Sequence, residues 1–187
     1  MNQEPQAIPF SRASRLVELV ALLALIEGDS RELGEFSEVN AQSMPTKFQQ
    51  LLDHNEHMTI AVEGFHGCPI SVQVLHSRIE NSVYIREILL RRTTDQQVVQ
   101  YGIVRLQLNA LDPLPRQAIL DERIPLGRIL IEHNVLREVE LVDLWKVTMG
   151  PKLTKLFNAE VAAITYGRTA MIYFGNQPAL ELLEIVS

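Results

Sequence analysis

The sequence predicts an α+β fold, with a mostly antiparallel sheet of six to seven strands and helices on one face. The chain has 187 residues, of which 47% are hydrophobic, enough for one domain with a core. From about residue 58, short segments rich in Val, Ile and Leu follow one another, each bounded by a turn signal. Such short links favour antiparallel pairing. The preceding residues have helical periodicity.

Two helices are predicted before the strands. Residues 12–27 are periodic, and Gly28 is placed to end that helix. Residues 46–54 form the second helix, with Pro45 at or near its first position. Residues 1–11 are polar and contain proline, so we expect them to be frayed. Because the chain has no repeat or low-complexity linker, we predict one domain over residues 1–187.

The strands are predicted in order. Four successive strands are predicted first, with the sequences MTIAVEG, ISVQVLHS, VYIREILLRR and QVVQYGIVRLQL. LPRQAILDE and PLGRILIE are short and helical or irregular. Residues 135–147 could form a helix or a strand, and their alternating polarity favours a strand. Residues 152–157 are predicted as one or two helical turns. AAITYGRTAMIYFG and QPALELLEIV close the chain as a hairpin. The sheet face without helices must be covered by loops, a partner or a ligand.

Composition excludes several classes of function. The formal charge is −6 and the basic residues are scattered, so nucleic acid is not expected as a partner. The single cysteine, Cys68, excludes an internal disulfide and fits a reducing compartment. Residues 16–26 are the longest apolar run, shorter than the about 20 residues that span a bilayer, and lack a secretory cleavage site. We therefore expect a soluble, cytoplasmic protein without a membrane span.

Three charges lie on apolar stripes of the predicted strands. Alternation places Arg86 among apolar neighbours on one face and Glu87 on the other, and Glu184 shares a face with three apolar residues. Burying an unpaired charge is costly, so each needs a partner. One interpretation is structural: an ion pair of Arg86 with Glu184 or Glu87, or exposure of the charges at an edge of the sheet. The other is a site, in which Arg86 binds a carboxylate and a desolvated Glu184 holds a proton.

Other sites find little support in the sequence. The five histidines lack a persuasive metal-ligand spacing, and no phosphate loop, dinucleotide fingerprint or G-x-S-x-G elbow is present. The stripe of Leu126, Ile129 and Leu130 is interpreted as packing. The residues by themselves therefore do not predict a metal site.

Four motifs occur in an order that resembles the chorismate pyruvate-lyase family. They are SMPTKFQQLL, YIREILL, IPLGRILIEHNVLREVEL and YGRTAMIYFGNQPALELLE, and the resemblance spans about residues 43–186, most of the chain. The resemblance is clearest to the archaeal and cyanobacterial or plastid-type branch, and weaker to the bacterial ubiquinone-pathway lyase. It implies a chorismate lyase-like fold with a sealed pocket, and conversion of chorismate to 4-hydroxybenzoate and pyruvate without a cofactor. It also implies a role in quinone biosynthesis.

The resemblance also implies site residues. Arg86 would hold the ring carboxylate, and the backbone N–H of Met44 and the backbone at Leu126 would contact the ligand. Glu184 would contact the oxygen at ring position 4 and act as general acid while the aromatic ring forms. Arg86 and the backbone donors would orient the substrate.

The spacing of the last strand leaves the acid open between two residues. Glu184 lies six residues after Pro178, one more than the family pattern leads us to expect. Either a bulge intervenes or the strand is aligned differently, and a one-residue slip exchanges the two faces. Glu181 therefore stays as the second candidate.

Two alternatives to the lyase remain. The same fold serves as the effector-sensing domain of some transcription repressors, so the chain could be a non-catalytic binding module for a small aromatic acid. Such repressors carry a DNA-binding domain ahead of it, and the about forty residues before Met44 are few for one, which favours the enzyme. A diverged member whose Arg86 and Glu184 only pair with each other is the third reading. The sequence leaves open the hydroxybenzoate isomer, the pathway and the oligomeric state.

Overall fold

The computed structural model describes residues 19–135 and 137–187. The predictions for residues 1–11 and for the start of the first helix lie outside these residues. Residues 19–23 are helical and then turn, so this helix ends four residues before the predicted position. Five α-helices follow in the described part of the chain: α1 Thr46–Leu52, α2 Met58–His66, α3 Pro113–Leu120, α4 Leu126–Glu132 and α5 Pro151–Phe157.

All of these helices are short, with 7 to 9 residues each. The longest, α2, has 9 residues and stops at Gly67, which takes the left-handed conformation with φ 62°. Pro45 and Pro125 precede the first residues of α1 and α4, as proline favours at a helix start. Among the described residues no helix is long and apolar enough to cross a membrane.

Seven strands form one antiparallel sheet, which confirms the predicted fold class. Their order across the sheet is β1-β5-β6-β7-β4-β3-β2, so two three-stranded meanders meet where β4 pairs with β7. The strands are β1 Gly34–Glu38, β2 Ile70–Glu80, β3 Val83–Arg92, β4 Val98–Gln107, β5 Arg137–Met149, β6 Ile164–Phe174 and β7 Gln177–Val186.

Both faces of the sheet are covered. We call the face that carries Arg86, Ile88 and Glu184 the cavity face, and α1 to α4 pack on it in two apolar clusters. The opposite face packs against residues 19–26 and α5 in a third cluster that includes Trp145. The predicted layout of helices on one face therefore holds for α1 to α4, whereas α5 and the N-terminal segment cover the other.

The prediction of a strand for MTIAVEG is wrong, because these residues begin α2. Met58, Thr59 and Val62 are its buried residues, which is one face of a helix with 3.6 residues per turn. Ile60 in the same run is exposed. The segment is too short and too rich in β-branched residues for periodicity to separate helix from strand.

The seventh strand, β1, is one that the sequence does not predict. It has only five residues, GEFSE, and lies at the edge of the sheet against the end of β5. Its two glutamates and small apolar content give no strand signal. Gly34 begins β1 with φ +127°, and a Cβ built there would lie 2.0 Å from the carbonyl oxygen of Thr148 and 2.7 Å from the nitrogen of Gly150.

Replacing Gly34 by alanine should destabilise the protein by about 3 kcal/mol or more, because the new methyl group collides with rigid backbone in a conformation that side chains avoid. Gly28→Ala is the matched control. Gly28 also has positive φ, +95°, but nothing lies within 4 Å of its Cβ position, so about 1 kcal/mol is expected. Urea unfolding measures both; equal losses would contradict the close approach of β1 to β5.

Candidate functional site

A small cavity lies between the sheet and the helices, where the two clusters of the cavity face meet. Its volume is about 40 Å³, which holds water but is well below the roughly 150 Å³ that accommodates benzene. Its polar lining comes from both layers of the fold. The residues that line it are His57, Met58, Thr59, Arg86, Ile88, Leu90, Gln100, Val104, Pro125, Leu126, Gly127, Val139, Arg168, Ile172, Leu182 and Glu184.

Arg86 is the unusual residue of this cavity, because its guanidinium is buried without a partner. It is 1% exposed, and none of its three side-chain nitrogens makes a hydrogen bond. Its Cζ atom lies 5.9 Å from the centre of the Tyr84 ring. Burial lowers the pKa of Arg86 from its usual value, although an arginine remains charged at neutral pH. The cavity therefore contains an unneutralised cation.

Glu184, in contrast, is fully engaged. Arg168 is directly opposite it on β6, and Arg168 Nε donates to Glu184 Oε2 at 2.7 Å. Gln100 Nε2 approaches the other oxygen, Oε1, at 3.5 Å. Glu184 is 6% exposed and Arg168 is 0% exposed. A general acid needs a protonated oxygen, and here both oxygens face donors.

The remaining nitrogens of Arg168 bind the loop between α1 and α2. Nη1 donates to the carbonyl oxygen of His54 at 2.8 Å, and Nη2 donates to that of Glu56 at 3.0 Å. A fully buried guanidinium thus has its charge matched by Glu184 and its donors matched by backbone. This network fixes the loop that leads into His57 and the start of α2, which form the wall of the cavity.

The predicted structural pair of Arg86 with Glu184 or Glu87 is not present. Glu184 pairs with Arg168, and Glu87 points to the opposite face, where Lys152 Nζ lies 2.5 Å from its Oε1. Alternation along β3 correctly separates Arg86 from Glu87. What the sequence did not reveal is that each acid has another basic partner.

A bulge in β7 explains the extra residue before Glu184. Tyr173 is opposite Pro178, but Ile172 is opposite Leu180, so Ala179 is the additional residue. The bulge turns Glu184 to the cavity face. Of the two candidates for the acid, only Glu184 lines the cavity.

Glu181 lies away from the cavity, because it points to the other side of β7. It is opposite Arg105 on β4, and the two side chains form an ion pair that is partly exposed. Its carboxylate therefore has a structural partner of its own, outside the cavity.

Met44 and Leu126 have different positions relative to the cavity. The N–H of Met44 donates to the carbonyl oxygen of Ala41 at 3.0 Å, and Met44 does not line the cavity. Leu126 does line it, as the first residue of α4. The N–H of a first helical residue has no acceptor within its helix, so the backbone of Leu126 keeps a donor near the cavity, whereas that of Met44 does not.

The helical wall of the cavity is closed by a glycine contact. A Cβ at Gly127 would lie 2.7 Å from Thr59 Oγ1 and 3.4 Å from the Cβ of His57. Only a residue without a side chain therefore lets α4 approach the start of α2 this closely. This wall of the cavity is made of helix starts, whereas the opposite wall is sheet.

His57 separates the cavity from a larger surface groove. The groove has a volume of about 740 Å³ and is lined by residues of the α1–α2 loop, α4 and β5, among them Arg137. Arg137 Nε donates to His57 Nε2. Burial, together with the charges of Arg137 and Arg168, lowers the pKa of His57 from 6.5 to about 4. The imidazole is therefore neutral at physiological pH and can accept this hydrogen bond.

Sequence reasoning missed Arg168, Gln100 and His57 as members of the site. Arg168 and Gln100 each interrupt an apolar stripe, which is the signal that identified Arg86. His57 lay next to a segment assigned to the wrong element, so its direction could not be inferred. Among the described residues, no group of three His, Cys, Asp or Glu side chains could hold a metal ion.

Comparison with solved structures finds this fold in PhnF from Mycobacterium smegmatis. The effector domain of PhnF matches with a TM-score of 0.52 and 11% identity, over 70% of this chain and 88% of that one. PhnF itself matches with a TM-score of 0.52 and 10% identity, over 71% of this chain and 64% of that one. The possible transcriptional regulator YydK from Bacillus subtilis subsp. subtilis str. 168 matches with a TM-score of 0.47 and 8% identity, over 63% and 58% of the two chains.

These likenesses concern the fold alone. The chain spans less than two thirds of the YydK and PhnF chains, at 58% and 64%. No protein-family model matches the chain, and no curated protein matches it. The resemblance to the chorismate pyruvate-lyase family is therefore supported only for its fold, which the seven-stranded antiparallel sheet shares.

The expectation of a carbon–oxygen lyase is contradicted. Two solved structures that share the fold with TM-scores of 0.52 are PhnF and its effector domain, and the glutamate expected to be the acid is ion-paired with Arg168. Neither finding supports the expected role in quinone biosynthesis. The short segment before Met44, which we took to favour an enzyme, does not discriminate, because the PhnF effector domain shows this fold as a separate unit.

Replacing the two cavity arginines should have opposite effects on stability. Arg86→Met removes an unpaired buried charge, so the free energy of unfolding should rise by about 1–2 kcal/mol. Arg168→Met is the matched control, and it should lower the free energy of unfolding by about 3–5 kcal/mol because Glu184 is left unpaired. Urea unfolding at neutral pH measures both. A large loss of stability in Arg86→Met would mean that Arg86 has a structural partner.

The neutral His57 predicts a loss of stability in acid. Its pKa is about 4 in the folded protein and 6.5 is the usual value, so the unfolded chain binds more protons between these values. Stability should therefore fall as the pH is lowered from about 6.5 towards 4. His57→Gln should flatten this part of the curve of melting temperature against pH, whereas the exposed His133→Gln should not. Parallel curves for all three proteins would show that His57 is not the group responsible.

Proposed function

We propose that the chain is a non-catalytic module that binds a small aromatic acid in the cavity, with the ligand carboxylate on Arg86. The observation that carries the proposal is the guanidinium of Arg86, which is 1% exposed and has no hydrogen-bond partner on any of its three nitrogens. An unpaired buried charge costs several kcal/mol and persists only when something compensates for it. A carboxylate, which matches a guanidinium by two parallel hydrogen bonds, is the natural compensation.

The surroundings of Arg86 favour a flat, mostly apolar ligand with one further polar group. Apart from the charged residues, the lining is largely aliphatic, with Ile88, Val104 and Leu182 on the sheet side. Arg86 is opposite Val104 on β4, which is opposite Leu182 on β7. Glu184 therefore lies two strand intervals across the sheet and two residues along it from Arg86, about 12 Å between their backbones. With a side chain reaching in from each end, an aromatic ring with a hydroxyl opposite its carboxylate fits this spacing.

Ligand binding requires the cavity to expand from about 40 Å³ to the roughly 150 Å³ of a site that holds an aromatic ring. The sheet side is fixed by the hydrogen bonds of the strands and by the Arg168 network. The contact of Gly127 with Thr59 joins two helix starts instead, and outward movement there provides the volume. The likeness of the fold to the PhnF effector domain supports a binding role for such a cavity.

The single cysteine, Cys68, supports a cytoplasmic location, because a reducing compartment keeps thiols free. The ligand is a small molecule, and the scattered basic residues give no support for nucleic acid as a direct partner of this domain. Single-domain organisation over residues 1–187 stays a prediction.

Titration calorimetry with 4-hydroxybenzoate tests the proposal. Binding should be measurable for the wild type and should be lost, by about 100-fold or more, in Arg86→Met, because hydrogen bonds to charged groups contribute about 1.5–3 kcal/mol each. The neutral analogue 4-hydroxybenzamide, which has the same shape, should bind at least tenfold more weakly to the wild type.

Two results would contradict the proposal. Equal affinity of Arg86→Met and the wild type for 4-hydroxybenzoate would remove Arg86 from the site. Release of pyruvate and hydroxybenzoate in equal amounts on incubation with chorismate would show turnover, and the module would not be non-catalytic.

A further inference from the structure

Tyr84 connects Arg86 to a carboxylate outside the cavity. Tyr84 and Arg86 are two residues apart on β3 and share a face, and the guanidinium lies 5.9 Å from the centre of the tyrosine ring. The hydroxyl of Tyr84 donates to Glu122 Oε1 at 2.7 Å. Glu122 lies in the loop between α3 and α4. A buried cation, an aromatic ring and a carboxylate therefore form one chain of neighbours.

The charges along this chain affect one another. Burial lowers the pKa of Arg86, and the neighbouring Tyr84 and Glu122 act in the opposite direction, favouring the charged guanidinium. Burial and the hydrogen bond to Glu122 raise the pKa of Tyr84 to about 12, so its hydroxyl keeps its proton and remains the donor to Glu122. Glu122 thus supplies part of the negative charge that Arg86 lacks in direct contacts.

The backbone at Glu122 is strained, and it leads into the cavity wall. Its φ is 58°, in the left-handed region that residues with side chains rarely adopt. Strained positions persist only where the surrounding structure holds them. Here the side chain accepts from Tyr84, and the backbone N–H donates to the carbonyl oxygen of Ile119 at 3.2 Å. Three and four residues later, Pro125 and Leu126 line the cavity. The contact with Tyr84 therefore holds the segment that must move when the cavity expands.

We infer that Glu122 is an internal anion that competes with the ligand: it balances Arg86 through Tyr84 until the carboxylate of a bound acid replaces it. This inference rests on the proposed function. When a ligand carboxylate occupies Arg86, Glu122 faces a like charge instead of an unmatched cation, and its hold on the α3–α4 loop weakens. Glu122 therefore makes the affinity of the module for acids weaker than Arg86 alone would give. A neutral molecule cannot replace the negative charge of Glu122, so it gains no binding energy from this exchange.

The first test is the affinity of Glu122→Gln for 4-hydroxybenzoate. Glutamine keeps the shape and can accept from Tyr84, but it removes the charge. Binding should tighten about tenfold, the effect of one nearby charge at an effective dielectric constant of about 20, whereas the weak affinity for 4-hydroxybenzamide should not change. Glu132→Gln, on the exposed side of α4, is the matched control and should bind as the wild type. Unchanged or weaker binding of 4-hydroxybenzoate by Glu122→Gln overturns the inference.

The second test needs no ligand. A double-mutant cycle isolates the coupling between Glu122 and Arg86. It compares the melting temperatures of the wild type, Glu122→Gln, Arg86→Met and the double variant. Glu122→Gln should lower the melting temperature of the wild type but not that of Arg86→Met. Equal decreases in both backgrounds overturn the inference, because Glu122 would then be only a structural contact of Tyr84.

Together the two tests distinguish this inference from the proposed function. If 4-hydroxybenzoate binds through Arg86 but Glu122→Gln neither tightens binding nor shows coupling, the binding module stands and the competing anion is refuted. If the wild type binds no acid, the proposed function fails, and the competing role of Glu122 fails with it. Tighter binding in Glu122→Gln together with coupling in the cycle supports both.

Discussion

The ion pair of Arg168 with Glu184 is the interaction on which the site depends. Both residues are nearly inaccessible to solvent, and they are directly opposite each other on neighbouring central strands. The other arginine nitrogens bind the carbonyl oxygens of His54 and Glu56. One guanidinium thus joins β6, β7 and the loop that carries His57, and it forms a cavity floor that cannot easily deform. Because Glu184 is satisfied in this way, it is not available to Arg86.

The contrast between the two arginines separates structure from function. Arg168 has a partner for each nitrogen and contributes to stability, as a buried charge does when it is well paired. Arg86, two strands away, has none, so the folded state is less stable than it would be with an apolar residue at this position. Positions that lower stability without an internal benefit are characteristic of binding sites. The neighbouring Tyr84 and Glu122 reduce the cost without removing it.

The features that could be predicted from the sequence are those that depend on a single strand, and not those that depend on contacts between strands. Alternation along β3 and β7 predicted that Arg86, Glu87 and Glu184 would interrupt apolar stripes, because side-chain direction in a strand is a property of the strand itself. Which side chain pairs with each of these residues depends instead on the register between neighbouring strands. In a hairpin without a bulge, the register at Phe174 and Gln177 would continue to the far end and set Arg168 opposite Leu183 rather than Glu184.

The other wrong expectations also concern features that depend on contacts between distant parts of the chain. The run that begins at Met58 is compatible with a strand or a helix, and only its packing against the sheet selects α2. β1 is short and polar, and pairing with β5 rather than its own composition makes it a strand. The N–H of Met44 is occupied by a turn that a short motif does not reveal. The lyase expectation rested on the order of four short motifs, whereas the chemistry depends on how individual side chains are paired.

A crystal structure of the protein with 4-hydroxybenzoate tests the central claim most directly. The account predicts that the ligand carboxylate lies within about 3 Å of the Arg86 guanidinium, that the cavity is enlarged by an outward shift of the starts of α2 and α4, and that the Arg168–Glu184 pair is unchanged. A ligand bound in the outer groove against Arg137, with Arg86 still unpartnered, would contradict it.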